Sequence, residues 1–465
     1  MNLNGLYDKQ LKYINFICLS SVLFISGLIS AINPSLTLFL ATAVIFIAVC
    51  LYNYRKAFIL LIFLIPIIPQ SLVHVIYTNL GPSQILLDRT LSFIFMLTFL
   101  SVLTLRKVEV EWTSYHRVGL VFLISMLLNA MFSAQPIFSF KTILNELWIT
   151  GLLYFFISFH LTNGTDFLKK LIWAAFSAAV VISIMGFYEV ISGTAVELSN
   201  IVNYLSPFGA NDTIAEWGRG INIRGGLFRA QATLGHSLGM ASFFLFLLPL
   251  LYEFVSQKAN HLPVFLIIAA GLAATQSRAG WFLGCLILSF KFWRKPLLFI
   301  LIAVVTIIVI VPYYQSAGGE GSNMLLVADA DIVRFIRVEN AIRVFKANPI
   351  FGIGVGQLDL EIFREIKWRS GDVTMAQKLE ESGLVGTGAW LFFFIYLITI
   401  FIKYSKKEDV PMRNIAFALS LGVIASLLNA VFSNSIFQYS KAYIVMMVLL
   451  GSMARIEWDN RKHAV

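Results

Sequence analysis

An arginine inside a long apolar stretch is the first residue of this sequence that suggests chemistry. Arg278 lies in the apolar run from Leu262 to Phe290, within LAATQSRAGWFLG. A charged side chain at the middle of a bilayer costs roughly 2.5 to 3.5 kcal/mol on insertion scales. As one helix the run would be about 43 Å long, against a hydrocarbon core of about 30 Å. We therefore expect a helical hairpin that breaks near 275–277, with Arg278 at its tip. There its guanidinium can bind an anion such as phosphate, donating to two oxygens at once. A snorkelling or structurally paired arginine is the alternative.

Three more arginines precede the next apolar run upstream. Arg219, Arg224 and Arg229 lie in WGRGINIRGGLFRAQATLGH, which ends at His236. A solvated loop face is one interpretation of these three arginines. They are also expected on the same side of the membrane as Arg278, which makes one shared anion site the alternative. His236 is a candidate substrate contact, although solvation of a helix end explains it as well. Glu189, near the outer end of another span, is expected at a solvated boundary.

Composition indicates a membrane protein. The 465-residue chain is 58% hydrophobic and 13% charged, whereas soluble proteins are close to a quarter charged. The net charge of +10 falls in short connectors between apolar runs, a pattern typical of cytoplasmic loops rather than of nucleic-acid binding. The three cysteines lie in apolar spans, which argues against disulfides and a metal site. Fourteen spans, or twelve, are predicted, with both termini cytoplasmic, near 12–31, 35–53, 57–75, 85–105, 117–133, 142–162, 167–191, 236–255, 262–275, 277–291, 296–313, 382–403, 413–431 and 438–454.

The predicted fold is an all-α polytopic helical bundle, one membrane domain over 1–465 with two outward loops. The loops span 192–235 and 314–381. The second carries apolar residues at helical spacing between Asp329 and Asn348-Pro349, which predicts an amphipathic helix at the membrane surface. FGIGVGQ, at 351–357, follows no predicted strand and is interpreted as a turn rather than a nucleotide loop.

Four segments, in order and spacing, resemble the bacterial O-antigen ligase and O-antigen polymerase superfamily. They are FRAQATLGHSLGMA, TQSRAGWFLG, VFKANPIFGIGVG and EESGLVGTGAWLF. The resemblance covers roughly residues 225–395. It implies a membrane glycosyltransferase whose donor is a glycan on undecaprenyl diphosphate and whose acceptor is a sugar hydroxyl. The implied transfer is inverting and needs neither metal nor cofactor.

The resemblance also implies roles for individual residues. Arg229 and Arg278 match the two essential arginines of the family and would stabilise the charge of the diphosphate leaving group. Arg334 or Arg337 matches a further arginine, less firmly placed. Arg219, Arg224 and His236 remain candidate substrate-binding residues.

The chain departs from the family pattern at the position of the catalytic base. Family members carry a His-Asn pair about eleven residues before the last motif, where this chain has Asp372-Val373. Asp372 can serve as the base if a dry site raises its pKa, and a solvated turn residue is the plainer interpretation. The alternatives for the base are Glu361, Glu365, Glu380 and Glu381.

The missing histidine favours a polymerase of lipid-linked repeat units over a ligase acting on lipid A-core or protein. A flippase for lipid-linked glycans, or another transporter, is the alternative of a different class. The expected partners are the undecaprenyl-diphosphate-linked donor, the glycan acceptor and the lipid bilayer, with a chain-length regulator protein as a further candidate and no nucleic acid. The expected location is the bacterial inner membrane.

Overall fold

The structure is a computed structural model that divides into two compact units. One is Met1–Glu109 with Thr194–Ile221, and the other is Val110–Gly193 with Asn222–Val465. This division does not test the predicted single membrane domain, which stays a prediction. The structure describes residues 34–68, 73–78, 81–105, 111–145, 147–194, 223–224, 227–292, 329–357, 373–433, 435–438 and 440–463.

The first unit contains three apolar helices and a hairpin among its described residues. Asn53 separates the first two helices, and its Oδ1 accepts a hydrogen bond of 3.0 Å from the backbone N–H of Lys56, which caps the second helix. Phe58 and Phe95 are buried between helices, with ring centroids 5.0 Å apart. The elements are α1 Pro34–Tyr52, α2 Tyr54–Ile67, β1 Val73–Thr78, β2 Gly81–Leu86 and α3 Leu87–Leu105, with β1 and β2 antiparallel.

The second unit is a bundle of eleven described α-helices with one very short hairpin. Buried side chains along its central helices are mostly apolar, as a bundle that packs helix on helix requires. The elements are α4 Ser114–Met131, α5 Pro136–Asn145, α6 Leu147–Leu161, α7 Thr165–Ser192, β3 Ile223–Arg224, β4 Leu227–Phe228, α8 Ser237–Gln257, α9 Leu262–Ala274, α10 Arg278–Phe292, α11 Asp329–Ala347, α12 Thr374–Ser405, α13 Arg413–Phe432 and α14 Ser440–His463.

The helical membrane bundle predicted from hydropathy is confirmed, with the two short hairpins as additions. Helix boundaries lie within a few residues of most predicted spans, for example α7 against 167–191 and α13 against 413–431. The predicted spans at 12–31 and 296–313 fall outside the described residues. Five described helices are each long and apolar enough to cross a bilayer, namely α4, α7, α8, α12 and α13.

Glycines allow a close helix crossing in the second unit, between α6 and α14. A Cβ on Gly151 would overlap the ring of Tyr443, and one on Gly451 would overlap the carbonyl oxygen of Phe155. Small residues at such crossings let two backbones approach, and van der Waals packing then holds helices together where water is absent.

A helix is present where the second loop was expected to carry an amphipathic one, as α11, and Asn348-Pro349 follows its last residue, Ala347. Its apolar residues are not clearly confined to one face. It packs against the start of α12 through Ala341, which is buried with Val373. The predicted apolar stripe is offset at one position, because Ile342 is 45% exposed. Its placement at a membrane surface stays a prediction.

Charged residues gather near the C-terminal end of α14. The Lys462 ammonium donates to Glu111 Oε1 at 2.7 Å, and Trp458 Nε1 donates to Glu111 Oε2 at 3.3 Å. These hydrogen bonds hold the pKa of the Glu111 carboxyl below its ordinary value. The cluster ties residue 111, just before α4, to the other end of the second unit's sequence.

Candidate active site

The predicted break in the apolar run is confirmed, and it forms a compact turn. The helix α9 ends at Ala274 and α10 begins at Arg278. Thr275 Oγ1 donates to the carbonyl oxygen of Leu272 at 2.6 Å, and Ser277 Oγ accepts the backbone N–H of Gly280 at 3.2 Å. Ser277 thus caps α10. We call residues 275–277 the helix break.

The upstream arginine segment lies directly against this break. The Nε of Arg229 donates to the carbonyl oxygen of Thr275 at 3.3 Å, and the backbone N–H of Ala230 donates to Ala274 at 3.1 Å. Gln276 Nε2 returns a bond of 3.2 Å to the carbonyl oxygen of Phe228. Residues 228–236, here called the arginine turn, are therefore hydrogen-bonded to the segment that leads into Arg278.

The N-terminus of α10 adds a third source of positive potential beside the two arginines. Arg278 is its first residue and is exposed, while Arg229 is half-buried. The first N–H groups of a helix point outward and carry the positive end of its dipole. A helix N-terminus flanked by guanidinium groups is suited to bind a phosphate or diphosphate.

Backbone strain is concentrated at the same place. In the described part of the chain three non-glycine residues have positive φ, and two of them are Ala232 at 46° and Gln276 at 51°. Such conformations cost of order 1 to 3 kcal/mol and persist where the surroundings hold them, often at functional sites. Gln276 is 4% exposed, and its Oε1 is buried without a hydrogen-bond partner.

A buried glutamate accepts hydrogen bonds from the backbone of the arginine turn. Glu189, in the last turn of α7, is fully buried, and its Oε2 accepts the backbone N–H groups of Gln231 and Ala232, both at 2.8 Å. The expectation that Glu189 lies at a solvated boundary is therefore wrong. The two donated bonds offset part of the cost of removing a carboxylate from water.

A buried lysine holds the same turn from another helix. Lys441, at the start of α14, is 2% exposed, and its Nζ donates to the carbonyl oxygen of Thr233 at 2.7 Å. His236 caps α8, because its Nδ1 accepts the backbone N–H of Leu238 at 3.1 Å. The proton of a neutral His236 imidazole is then on Nε2.

Near the start of α12 lies a second irregular segment, residues 348–357, here called the glycine turn. Ile353 and Gly354 donate to the carbonyl oxygens of Glu380 and Glu381, both at 3.0 Å. α12 is kinked at Gly383, which has a φ of 58°. The turn predicted for FGIGVGQ is confirmed, and it interlocks with the EESGLVG segment.

Asn129 of α4 clamps the glycine turn and is a residue that the sequence did not single out. Its Nδ2 donates to the carbonyl oxygen of Glu381 at 2.8 Å and to that of Phe351, and its Oδ1 accepts the N–H of Val355 at 3.2 Å. Asn129 is fully buried. One amide thus satisfies three backbone groups on two segments.

Two of the alternative bases lie beside the kink. Glu380 and Glu381 are each 3% exposed, and Lys378 is 4% exposed. Lys378 Nζ lies 3.8 Å from Glu381 Oε2, and Gln377 Nε2 donates to Glu381 Oε1 at 3.0 Å. Glu381 is therefore held by neighbours on its own helix.

For some of the predicted site residues the structure describes only the backbone, and others lie outside the described residues. Arg224 lies in β3, and Arg334 and Arg337 lie in α11, with their side chains outside the description. Asp372 and Arg219 lie outside the described residues, as do Glu361 and Glu365. No cluster of three or more His, Cys, Asp or Glu side chains in the described part of the chain is arranged to hold a metal ion.

Comparison with known proteins supports the sequence resemblance. Residues 263–377 match a family model described as O-antigen ligase. The match includes Arg278, the helix break, α11 and the glycine turn, and it ends before Gly383. Among curated proteins, none matches the chain. The chain is thus a multi-pass helical membrane protein whose residues 263–377 match the family model of the O-antigen ligases.

Proposed function

We propose that the chain is a membrane glycosyltransferase that polymerises oligosaccharide repeat units carried on undecaprenyl diphosphate. The observation that carries the proposal is the hydrogen bond from Arg229 Nε to Thr275, which seats one arginine on the break that leads into Arg278. Arg229, Arg278 and the N-terminus of α10 then lie at the same turn of the chain. That combination suits a diphosphate, because both charge and donor geometry match it.

In the proposed reaction a hydroxyl oxygen of the acceptor sugar attacks the anomeric carbon of the donor. The bond from that carbon to the diphosphate oxygen breaks, the electron pair leaves with the diphosphate, and the configuration at carbon inverts. Arg229 and Arg278 stabilise the charge on the departing diphosphate without a metal ion or cofactor. Arg334 and Arg337 assist them, and Arg219, Arg224 and His236 bind the substrate.

The hydroxyl proton passes to a carboxylate. Asp372 is the leading base because it occupies the position of the family histidine, and Glu380 is the alternative best supported by position, since it is buried beside the kink at Gly383. Asp372→Asn and Glu380→Gln separate them: the variant that removes the base loses transfer while keeping its expression and donor binding.

The proposed setting is the bacterial inner membrane, with both termini in the cytoplasm. The arginine turn and the glycine turn then face the periplasm, where repeat units accumulate on their carrier lipid. A chain-length regulator would be a protein partner, and the lipid bilayer supplies the donor laterally.

The test is the glycan profile of cells in which Arg229→Ala or Arg278→Ala replaces the native chain. Each variant should remain in the membrane and lose transfer by roughly 100- to 1000-fold, which corresponds to about 2.7 to 4 kcal/mol for one lost contact to the developing charge. Arg343→Ala is the matched control, because this arginine is exposed on α11 and lies 3.7 Å from Glu339. Wild-type chain length in both arginine variants would refute the proposed site.

A ligase is the second candidate, favoured by the description of the matching family as O-antigen ligase. Deleting the gene separates the candidates by what accumulates. Single repeat units on the final acceptor indicate a lost polymerase, and long chains left on the carrier lipid indicate a lost ligase. Accumulation on the cytoplasmic face would instead indicate a flippase.

A further inference from the structure

An apolar cleft lies between α8, α9 and α10, directly below the helix break. Its volume is about 460 Å³, and its lining is apolar apart from Tyr252, Trp281 and Cys285. The lining residues of α9 run from Leu262 to Ala273, which is about 17 Å of helix at 1.5 Å per residue. The cleft thus extends along most of the length of α9.

The upper end of the cleft is tied to the proposed diphosphate site. Leu272 and Trp281 both line it, and the Nε1 of Trp281 donates to the carbonyl oxygen of Leu272 at 3.1 Å. The same carbonyl oxygen accepts from Thr275 in the break. Trp281 is three residues after Arg278, so the apolar walls begin where the positive charges end.

The cleft is open on the side of α9. Leu262 and Leu266 line it and are 45% and 56% exposed. In a bilayer these exposed apolar side chains face lipid, so a chain-like molecule can enter from the side without crossing water. The deeper wall is formed by Leu272 and Gly284, both buried.

We infer that this cleft binds the isoprenoid tail of a polyprenyl diphosphate whose head lies at Arg229 and Arg278. The inference rests on the proposed function and adds the place of the tail. The argument is one of complementarity: cations at one end and apolar walls along the rest match a ligand with an anionic head and a long hydrocarbon chain. Bilayer phospholipid is the competing occupant, and the test below distinguishes it.

A second apolar hollow provides a matched comparison. It lies between α4 and α12, has a volume of about 480 Å³, and is lined by Gly388 and Leu128 among others, with no charged residue in its lining. If apolar shape alone attracted the isoprenoid, this hollow would bind it equally well. Gly284 and Gly388 are the equivalent positions at which to fill each hollow.

Cys285 supplies the measurement because it lines the cleft and is half-buried. The full-length chain, with Cys18→Ala and Cys50→Ala, is placed in vesicles of phosphatidylethanolamine and phosphatidylglycerol. The alkylation rate of Cys285 by a lipid-soluble maleimide is then followed. Undecaprenyl diphosphate at ten times its Kd should slow alkylation about tenfold, because about a tenth of the sites remain open. Undecaprenol should need a higher concentration, and inorganic pyrophosphate should give no protection.

Two variants complete the test. Gly284→Phe should raise the KM for the undecaprenyl-linked donor, with a smaller effect on a donor that carries a short isoprenoid. Its expression should match that of the control Gly388→Phe, which should leave KM unchanged. A Cβ on Gly284 would lie 3.4 Å from Leu272 Cδ2, an ordinary contact, so the first atom of the new side chain fits.

Three outcomes would overturn the inference. They are equal protection of Cys285 by pyrophosphate alone, no protection beyond that given by the vesicle lipids, and an equal rise in KM for Gly284→Phe and Gly388→Phe. The proposed function fails separately. Normal polymerisation by the Arg229→Ala and Arg278→Ala variants would refute it even if Cys285 were protected.

Discussion

The arginine turn and the glycine turn are both irregular segments packed against helix ends, but they are held by different balances of backbone and side-chain hydrogen bonds. The glycine turn is joined to α12 by backbone hydrogen bonds at 2.9 to 3.0 Å, among them Leu384 N–H to Pro349 O. Three of its glycines have positive φ. The arginine turn is held by two buried charged side chains, Glu189 and Lys441, and its positive-φ residue besides Gly235 is an alanine.

The two ways of holding a turn differ in which of its side chains remain available to bind a ligand. Backbone bonds and positive-φ glycines bring the glycine turn and α12 into direct contact, and the Asn129 amide bonds both segments. Such a junction is expected to be rigid. A turn held by side chains from other helices keeps its own side chains for other uses, here that of Arg229. Strained non-glycine backbone is costly, and Ala232 and Gln276 place it at the arginine turn and the helix break. This strain supports the assignment of the arginine turn as the diphosphate site.

The largest effect on stability is expected at the kink in α12. A Cβ on Gly383 would lie 2.5 Å from Gly352 N, and its φ of 58° is unfavourable for alanine. Gly383→Ala should therefore lower the free energy of unfolding by roughly 2 to 6 kcal/mol, from strain of about 1 to 3 and overpacking of about 1 to 3. Loss of folded protein in thermal unfolding and membrane yield measures it.

Gly388→Ala is the control for this substitution, because an added Cβ there meets nothing within 4 Å. It should unfold at the wild-type temperature. If Gly383→Ala did the same, the glycine turn would not be a rigid scaffold and its contrast with the arginine turn would disappear.

The next effect is expected at Glu189, on the arginine turn. Glu189→Ala leaves the N–H groups of Gln231 and Ala232 buried without their acceptor, at about 1 to 3 kcal/mol for each group. Transfer per folded molecule should fall as well, because Arg229 loses the support of its turn. Glu189→Gln keeps an accepting oxygen and should retain much of the stability, as chemical denaturation would measure.

Glu339→Ala, on the exposed face of α11, is the control for charge removal, because its partner Arg343 is also exposed. Surface pairs of this kind contribute about 0 to 1 kcal/mol. Equal losses of stability in Glu189→Ala and Glu339→Ala would mean that the buried carboxylate does not support the arginine turn.

Hydropathy was sufficient to predict the helices and the break at 275–277, because both follow from the length and charge of an apolar run. The shared anion site of Arg229 and Arg278 stays a prediction, and the structure adds the hydrogen bond from Arg229 Nε to the carbonyl oxygen of Thr275. Of the three hydrogen bonds between 228–230 and 274–276, one joins two backbone groups and two are donated by the side chains of Arg229 and Gln276 to backbone carbonyl oxygens. The residue pattern alone does not specify this register.

The residues that hold the turns were missed for a physical reason. Glu189, Lys441 and Asn129 each bond backbone groups on segments far away in sequence. A lone charged or amide residue near the end of an apolar span is most often solvated, so only the fold reveals these partners. The one feature that pointed to them was that they are polar, because a polar side chain inside a membrane is costly unless it has hydrogen-bond partners.

A smaller effect is expected at the clamp of the glycine turn. Asn129→Ala leaves the carbonyl oxygen of Glu381 and the N–H of Val355 without the side-chain amide, at about 1 to 3 kcal/mol. Stability should fall, while transfer per folded molecule should stay near wild type. Asn414→Ala, at an exposed position with one bond to Glu253, serves as control. A selective loss of transfer in Asn129→Ala would place the glycine turn in the reaction itself.

The smallest effect on stability is expected at Gln276. This residue also allows the stability cost of a strained position to be compared directly with its contribution to transfer. Gln276→Met removes one bond to Phe228, worth about 0.5 to 1.5 kcal/mol, and at the same time removes the buried Oε1 that has no partner. The two changes oppose each other, so the unfolding temperature should shift little. Gln276→Gly, which suits the φ of 51°, should be at least as stable as Gln276→Met. If both variants unfold near the wild-type temperature yet transfer falls in both, the strained glutamine is retained for the reaction, because its removal costs the fold almost nothing. If transfer is unchanged in both, the strain at the break belongs to the turn alone, and the case for the arginine turn then depends on Arg229 and Arg278.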